Sequence, residues 1–232
     1  MSHKMMLDGA NRAVLDGDDE LSRYVSARGF SHDGMMREAI MPHIAPGDVV
    51  VDGGAALGDH TVPYIQRVGP SGLVFAFEPH PEYFRCLRHN APTAITIPCA
   101  LWNSRNEVQI NEPNGNVGGS FISSVGIIVG DSAQESFKAR TMLLDDFGLE
   151  RVAFIKLDLE GGEYFALEGM RETVARCRPK IVVEMRVAMM SRYGINPAMM
   201  LEWFVARDYR VTSVCGNPDP ASGECDALAV PL

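Results

Sequence analysis

The sequence lacks several features that would place it in particular classes of protein. None of its apolar runs reaches the roughly 18 residues that a membrane-spanning helix needs, and its polar, acidic beginning has no apolar core like that of a secretory signal. Its five cysteines form no Cys-x-x-Cys pair, so the sequence indicates neither a zinc ribbon nor a disulfide framework. We therefore expect a cytoplasmic protein with no membrane partner.

The chain also lacks an excess of basic residues. Its 21 Lys and Arg residues are outnumbered by 30 Asp and Glu residues, and the formal net charge is -9 at pH 7. Proteins that bind nucleic acids usually present a basic face, so this balance favours a small-molecule partner over nucleic acid. A length of 232 residues suits a single domain, and it leaves a homo-oligomer open.

What the sequence does contain is a regular alternation of apolar strands and helices. Strands are predicted at 48–52, 73–77, 95–101, 153–159 and 180–185, helices at 61–68, 81–90, 162–176 and 197–207, and a last strand pair at 209–214 and 227–230. Strands that alternate with helices form right-handed crossovers and a mostly parallel sheet. The predicted fold class is α/β, a doubly wound, mostly parallel sheet with a terminal antiparallel strand pair and N-terminal helices.

Two segments depart from this alternation. Residues 1–45, which contain two short helices between Glu20 and Ile44, are expected to form a helical cap on an α/β core at 46–232. Residues 103–148 contain a strand at 107–110 and then a tract rich in Gly, Asn and Ser. Long irregular segments are usually functional loops. We expect an insertion at about 111–138 that is either a lid or a surface loop.

Small residues follow the first core strand, in the stretch D-G-G-A-A-L-G at 52–58. In a doubly wound sheet, ligands bind beyond the carboxyl ends of the strands. The glycines do not have the spacing of the dinucleotide fingerprint, and an acid before them suits a cationic or hydroxyl-bearing ligand better than a pyrophosphate. S-adenosylmethionine has an ammonium, a sulfonium and a ribose. The residues predicted to bind it from this region are Asp52, Gly53, Gly54, Ala55, Gly58, His60 and Thr61.

A second acid, Glu78, follows the next strand and precedes Pro79. An acid at the tip of the neighbouring strand is where a ribose diol finds a bidentate partner. Ala100 and Leu101, at the end of the third strand, are expected beside the adenine. Taken singly, Asp52 could cap a helix and Glu78 could be a turn residue before proline. A shared ligand explains the positions of both acids together.

The fourth strand carries an unusual set of charges in I-K-L-D-L-E-G-G-E at 155–163. With a period of two, Lys156, Asp158 and Glu160 project in one direction. Charges on a central strand are costly when they are dry and unpaired. Either Lys156 and Asp158 pair in a structural network, or the charges face the ligand crevice. Glu163 lies in the first turn of the next helix, where a carboxylate stabilises the helix dipole. We expect this role for Glu163 rather than a catalytic one.

Together these motifs resemble the FkbM family of methyltransferases. The resemblance runs in order from about 48 to 185 through D-G-G-A-A-L-G-D-H-T, F-E-P-H-P, T-M-L-L-D-D-F, I-K-L-D-L-E-G-G-E and V-V-E-M. It implies a class I (Rossmann-like) methyltransferase fold, S-adenosylmethionine as the methyl donor, and a hydroxyl acceptor on a sugar, polyketide or related metabolite. It includes Asp145 and Asp146, whose role the sequence does not explain. His60 departs from the family pattern, and it faces either the ligand or solvent.

The expected activity is therefore S-adenosylmethionine-dependent O-methylation of a hydroxyl on a sugar, a glycan or a secondary metabolite. Lys156, Asp158 and Glu160 are the predicted catalytic residues, and Asp158 also adjoins the cofactor. Asp158 or Glu160 acts as the base, or they hold a magnesium ion together with Glu184. The alternatives are an N-methyltransferase on protein or nucleic acid, a nicotinamide-dependent oxidoreductase, and a non-catalytic S-adenosylmethionine-binding protein. The fourth strand lacks the N-P-P-Y-like turn of many enzymes that methylate nucleic-acid amines.

Overall fold

The computed structural model describes residues 4–17, 19–30, 34–113, 119–123, 133–214 and 218–232. The chain begins with an antiparallel hairpin of β1 (Met5–Leu7) and β2 (Ala13–Leu15), followed by helices α1 (Glu20–Arg28) and α2 (Gly34–Ile40). The two predicted helices are confirmed. The hairpin was not predicted, since strands of three residues are too short to show a period of two.

The rest of the chain alternates strands and helices. The elements are β3 (Val49–Gly53), α3 (Thr61–Val68), β4 (Leu73–Phe77), α4 (Pro81–Asn90), β5 (Ile95–Ile97), β6 (Ala100–Leu101), β7 (Glu107–Pro113), β8 (Phe121–Ser123), β9 (Ala133–Met142), β10 (Phe154–Leu157), α5 (Glu163–Glu168), α6 (Arg171–Cys177), β11 (Lys180–Arg186), α7 (Val187–Met190), α8 (Pro197–Val205), β12 (Tyr209–Ser213) and β13 (Glu224–Pro231). Among the described residues, no helix has both the length and the apolar character needed to cross a membrane.

Seven strands form the central sheet, in the order β12-β13-β11-β10-β3-β4-β5. Only β13 runs antiparallel to its neighbours, β11 and β12, and the other pairs are parallel. Strands β3 and β10 are buried along their whole length, as expected for parallel strands covered by helices on both faces. The strand order reverses between β3 and β10, which is where ligands bind in such sheets. The predicted fold class is confirmed.

A second sheet, in the order β6-β9-β7-β8, is attached beside the central one. The predicted single strand at 95–101 is wrong: β5 belongs to the central sheet, whereas β6 pairs with β9. Pro98 separates them, because proline has no N–H to donate to a sheet. Within the predicted insertion at 111–138, the described residues extend the strands β7, β8 and β9, and residues 114–118 and 124–132 lie outside the described residues.

The predicted helix at 162–176 is also wrong, since it is broken into α5 and α6 at Gly169. A Cβ at Gly169 would lie 1.9 Å from the carbonyl oxygen of Trp102, so only glycine fits there. The start of α6 is held by Asp145, whose carboxylate accepts hydrogen bonds from the N–H groups of Glu172 (3.0 Å) and Thr173 (2.7 Å). The Leu-Asp-Asp element therefore has a structural role here, as a cap on α6.

Candidate active site

A cavity of about 410 Å³ lies at the carboxyl ends of β3, β4 and β10. It brings together most of the predicted site residues: Gly54, His60, Glu78, Pro79, Ala100, Leu101, Lys156, Asp158, Glu160 and Glu184 line it. The other predicted site residues, which do not line it, are Asp52, Gly53, Ala55, Gly58 and Thr61. His60 is 5% exposed, so the interpretation that it faces solvent is wrong.

The glycine loop after β3 passes tightly against the end of β10. Gly54 has a φ of 75°, and a Cβ there would lie 1.9 Å from the carbonyl oxygen of Asp158. Glycine is therefore required for both its left-handed backbone and its close approach. Ala56 is also left-handed, with a φ of 46°. This turn directs the Ala56 N–H toward the end of β4.

Glu78 receives that N–H and is fixed in the cavity wall. Its Oε2 accepts from Ala56 N at 2.8 Å, and its Oε1 accepts from His80 N at 2.7 Å. Burial raises the pKa of Glu78 to about 7, although these two N–H groups oppose the rise. Each carboxylate oxygen can accept more than one hydrogen bond. Each oxygen therefore has capacity for a further hydrogen bond to a ligand in the cavity.

Asp52 lies behind the loop in a buried ion-pair network. Its Oδ2 accepts from the Thr61 hydroxyl at 2.6 Å, and its Oδ1 lies 3.8 Å from Lys156 Nζ. Lys156 Nζ also donates to Asp158 Oδ2 at 3.3 Å. Burial lowers the pKa of Lys156, but the carboxylates of Asp158 and Asp52 outweigh it and hold that pKa well above its usual range. The predicted Lys156–Asp158 pair therefore exists, and Lys156 lines the cavity as well.

Three acids of the cavity lining form a cluster. One carboxylate oxygen each from Asp158, Glu160 and Glu184 lies within 4.8 Å of the other two. Burial and the charge of Asp158 raise the pKa of Glu184 to about 10 and that of Glu160 to about 8. Burial opposes ionisation of Asp158, but Lys156 reverses this effect and lowers the pKa of Asp158. At neutral pH a pKa of about 10 leaves Glu184 protonated beside the ionised Asp158 carboxylate.

A sharp turn presents Glu160 to the cavity. Glu160 and Gly161 are both left-handed, with φ values of 55° and 99°. Glu163 stabilises the turn, because its Oε1 accepts from Leu159 N at 2.6 Å and from Gly161 N at 3.3 Å. A left-handed non-glycine residue costs about 1 kcal/mol or more, and such strain is typical of functional sites.

Several residues of the cavity wall were not predicted. Arg186 lies 3.6 Å from Glu184 and 3.7 Å from Asp226, and all three line the cavity. The second sheet contributes Ile110, Ser120 and Ile122. The remaining wall residues that were not predicted as site residues are Glu20, Leu21, Met36, Ala56, Asp59, Tyr83, Trp102 and Leu159. The Trp102 ring stacks on Phe165 with the centroids 4.5 Å apart.

The strand order, the glycine loop and the acid after β4 define a class I methyltransferase fold. Similar solved structures include a methyltransferase FkbM from Methylobacillus flagellatus KT (18% identity, TM-score 0.52, 78% of this chain and 43% of that chain). A putative rRNA methylase from Clostridium thermocellum is similar too (12% identity, TM-score 0.51, 84% of this chain and 92% of that chain). A third is a TehB-like SAM-dependent methyltransferase from Corynebacterium glutamicum ATCC 13032 Kitasato (13% identity, TM-score 0.50, 90% of this chain and 94% of that chain). At these identities the similarity concerns the fold.

The family itself is shown by the sequence match. The model of the methyltransferase FkbM domain matches residues 52–211, more than half of the chain. The chain therefore belongs to the FkbM methyltransferase family, as its motifs predicted. It spans 43% of the Methylobacillus chain, and no curated protein matches it.

Proposed function

We propose that the protein transfers a methyl group from S-adenosylmethionine to a hydroxyl oxygen of a sugar, a glycan or another small metabolite. The observation that carries this proposal is the arrangement of one cavity. Its lining includes two sets of groups: a first part, the glycine loop with the fixed carboxylate of Glu78, and a second part, the cluster of Asp158, Glu160 and Glu184. A donor with a ribose fits the first part, and an acceptor that must lose a proton fits the second.

In the first part, Glu78 would accept hydrogen bonds from the two ribose hydroxyls, and Ala100 and Leu101 would flank the adenine. The ionised Asp158, held by Lys156 at 3.3 Å, faces the positively charged methionine end. S-adenosylmethionine supplies a methyl group that is already activated by its sulfonium. The protein therefore contributes mainly by holding the acceptor oxygen about 3 Å from that methyl group and in line with the departing sulfur.

In the second part, Glu160 accepts the proton of the acceptor hydroxyl as the new C–O bond forms and the C–S bond breaks. A general base is most effective when its pKa lies near the working pH, and the pKa of Glu160 is about 8. Asp158 is a weaker base, because Lys156 lowers its pKa. Asp158 and Glu184 then orient the hydroxyl beside Glu160.

The same three carboxylates also fit a divalent cation by their chemistry. Mg²⁺ prefers oxygen ligands and usually binds one or two carboxylates plus water, and three carboxylate oxygens lie together here. In this second form of the mechanism, Asp158 and Glu184 hold the ion, which would acidify the acceptor hydroxyl. Removal of metal by a chelator separates the two forms, since only the second loses turnover.

Calorimetric titration with S-adenosylmethionine, S-adenosylhomocysteine and NAD, each with and without Mg²⁺, tests the donor. We expect micromolar binding of the first two and no binding of NAD. A panel of sugars and small alcohols, with matched amines, then tests the acceptor by methyl-transfer assay. Methylation of amines but not of alcohols would contradict the O-methyltransferase assignment, and binding of NAD alone would contradict the whole proposal.

Asp158→Asn tests the acid cluster by turnover, with S-adenosylhomocysteine binding measured beside it. We expect turnover to be abolished, while S-adenosylhomocysteine still binds through Glu78 and the glycine loop but more weakly, because the amide keeps the shape of the side chain and loses the charge that faces the methionine end. Glu202→Gln, an exposed residue on α8, is a matched control for loss of a carboxylate. Normal turnover by the Asp158 variant would rule out the proposed role.

A further inference from the structure

One wall of the cavity comes from a part of the chain that the family match does not include. Glu20 and Leu21 of α1 line the cavity together with Ala56 and Glu78, whereas the match begins at residue 52. Leu21 packs against the same apolar cluster as Ala56, and Ala56 donates its N–H to Glu78. The first turn of α1 therefore lines the same cavity as Ala56 and Glu78, which we assign to the ribose.

A buried hydrogen bond fastens α1 in this position. The Tyr83 hydroxyl donates to Asp19 Oδ1 at 2.7 Å, while Asp19 Oδ2 accepts from Ser22 N at 2.8 Å. Asp19 is 1% exposed and Tyr83 2% exposed. One carboxylate thus caps α1 and also ties it to α4, the helix that begins just after Glu78. Hydrogen bonds to a buried charged group are among the stronger ones in proteins.

A second connection joins the N-terminal hairpin to the glycine loop itself. The Asn90 side chain accepts from Ala13 N and donates to Ala13 O, both at 2.8 Å. It also donates to the carbonyl oxygen of Leu57 at 2.8 Å. Leu57 is fully buried in a small cluster with Ala13 and Val25 of the N-terminal segment. The hairpin, α1 and the loop therefore form one packed unit.

We propose that α1 is part of the S-adenosylmethionine site, with Leu21 as an apolar contact to the ribose end of the cofactor. Asp19 acts as a positioning residue, since it holds Leu21 there through its hydrogen bond to Tyr83. The inference rests on the proposed function, because it takes S-adenosylmethionine to be the occupant of the cavity. It adds that cofactor affinity depends on residues outside the matched range.

Two pairs of variants test this arrangement by calorimetry with S-adenosylhomocysteine. Asp19→Ser keeps a good helix cap but is too short to reach Tyr83, and Tyr83→Phe removes only the hydroxyl. Each should weaken binding about fivefold, and the double variant should weaken it no further, because both remove one interaction. Leu21→Ala should weaken binding about tenfold through lost apolar contact. Leu21→Met keeps an apolar side chain of similar volume and should bind S-adenosylhomocysteine as tightly as the wild type.

The control is Val25→Ala, which lies on the same helix and in the same buried cluster but does not line the cavity. The melting temperature of Val25→Ala should fall. Its affinity should equal that of the wild type when both are measured at a temperature at which circular dichroism shows every variant to be folded. Equal weakening by Val25→Ala and Leu21→Ala would mean a general loss of stability and would overturn the inference. If the wild type binds S-adenosylhomocysteine and every variant binds it with the same affinity, only this inference is overturned. No binding by the wild type would overturn the proposed function as well.

Discussion

The affinity for S-adenosylmethionine should depend on pH through Glu78. The ionised carboxylate accepts from Ala56 N and His80 N, and each of its oxygens can accept a further hydrogen bond from a ribose hydroxyl. A protonated Glu78 would point its own O–H at one of these donors and so would bind the diol poorly. Because burial raises the pKa of Glu78 to about 7, the competent form is incompletely populated at neutral pH.

The magnitude follows from the populated fraction. With a pKa of about 7, roughly one tenth of the molecules are ionised at Glu78 at pH 6 and about nine tenths at pH 8. Apparent Kd varies inversely with the competent fraction. Binding should therefore tighten about tenfold as the pH rises from 6 to 8, and then level off. The sign is opposite to that of a site that needs a protonated carboxyl.

The assay is calorimetric titration of S-adenosylhomocysteine at pH 6, 7 and 8. Glu78→Gln should bind at least about tenfold more weakly at pH 8, because one N–H donor loses its acceptor, and its own pH dependence should be flatter. Other titrating groups are present in both the wild type and Glu78→Gln. The difference between the two plots of Kd against pH therefore gives the contribution of Glu78. Glu82→Gln, on α4 and paired with Arg85, should keep the wild-type profile. A wild-type Kd that is constant with pH, or an equal slope in Glu78→Gln, would refute the argument.

Three further predictions concern the acid cluster, the cap on α6 and the pH dependence of stability. Glu160→Gln should lower kcat roughly 100-fold or more and abolish the rise of kcat toward pH 8. It should still bind S-adenosylhomocysteine. An unchanged pH profile of kcat would exclude Glu160 as the base. Asp145→Ala should reduce the free energy of unfolding by about 2 kcal/mol in a urea titration, whereas Asp145→Asn should lose less; equal losses would contradict the capping role. The ligand-free protein should become less stable between pH 5 and pH 8, because the folded-state pKa values of Glu78 (about 7), Glu160 (about 8) and Glu184 (about 10) exceed the usual 4.5. Melting temperatures that rise over this range would contradict those shifts.

Local sequence patterns predicted the central part of the fold well. The bounds of α3, β4 and α4 agree with the prediction at both ends, because each element lies between clear turn residues. The break between α5 and α6 was missed, since Gly169 is required by the nearby carbonyl of Trp102. That contact joins residues far apart in sequence, and a single glycine within a helical pattern does not reveal it.

The site shows the same division between local and long-range information. The motif residues Gly54, Glu78, Asp158 and Glu160 line the cavity as predicted. Gly54, Glu78 and Asp158 directly follow strands that end at the same edge of the sheet, and Glu160 lies in the turn after the last of them. Asp226 was missed. It faces Glu184 only through the antiparallel register of β11 and β13, and the sequence around it carries no motif.

The left-handed backbone of Glu160 and the crowded carboxyls beside it have a consequence for laboratory evolution. Replacing Glu160 by glycine would relieve about 1 kcal/mol of backbone strain, and it would also remove one acid from the crowded cluster. Natural proteins commonly trade stability for activity in this way. A screen that selects this protein for heat resistance alone should therefore enrich Glu160→Gly. Its survivors would still capture the methyl donor and would have lost the ability to pass the methyl group on.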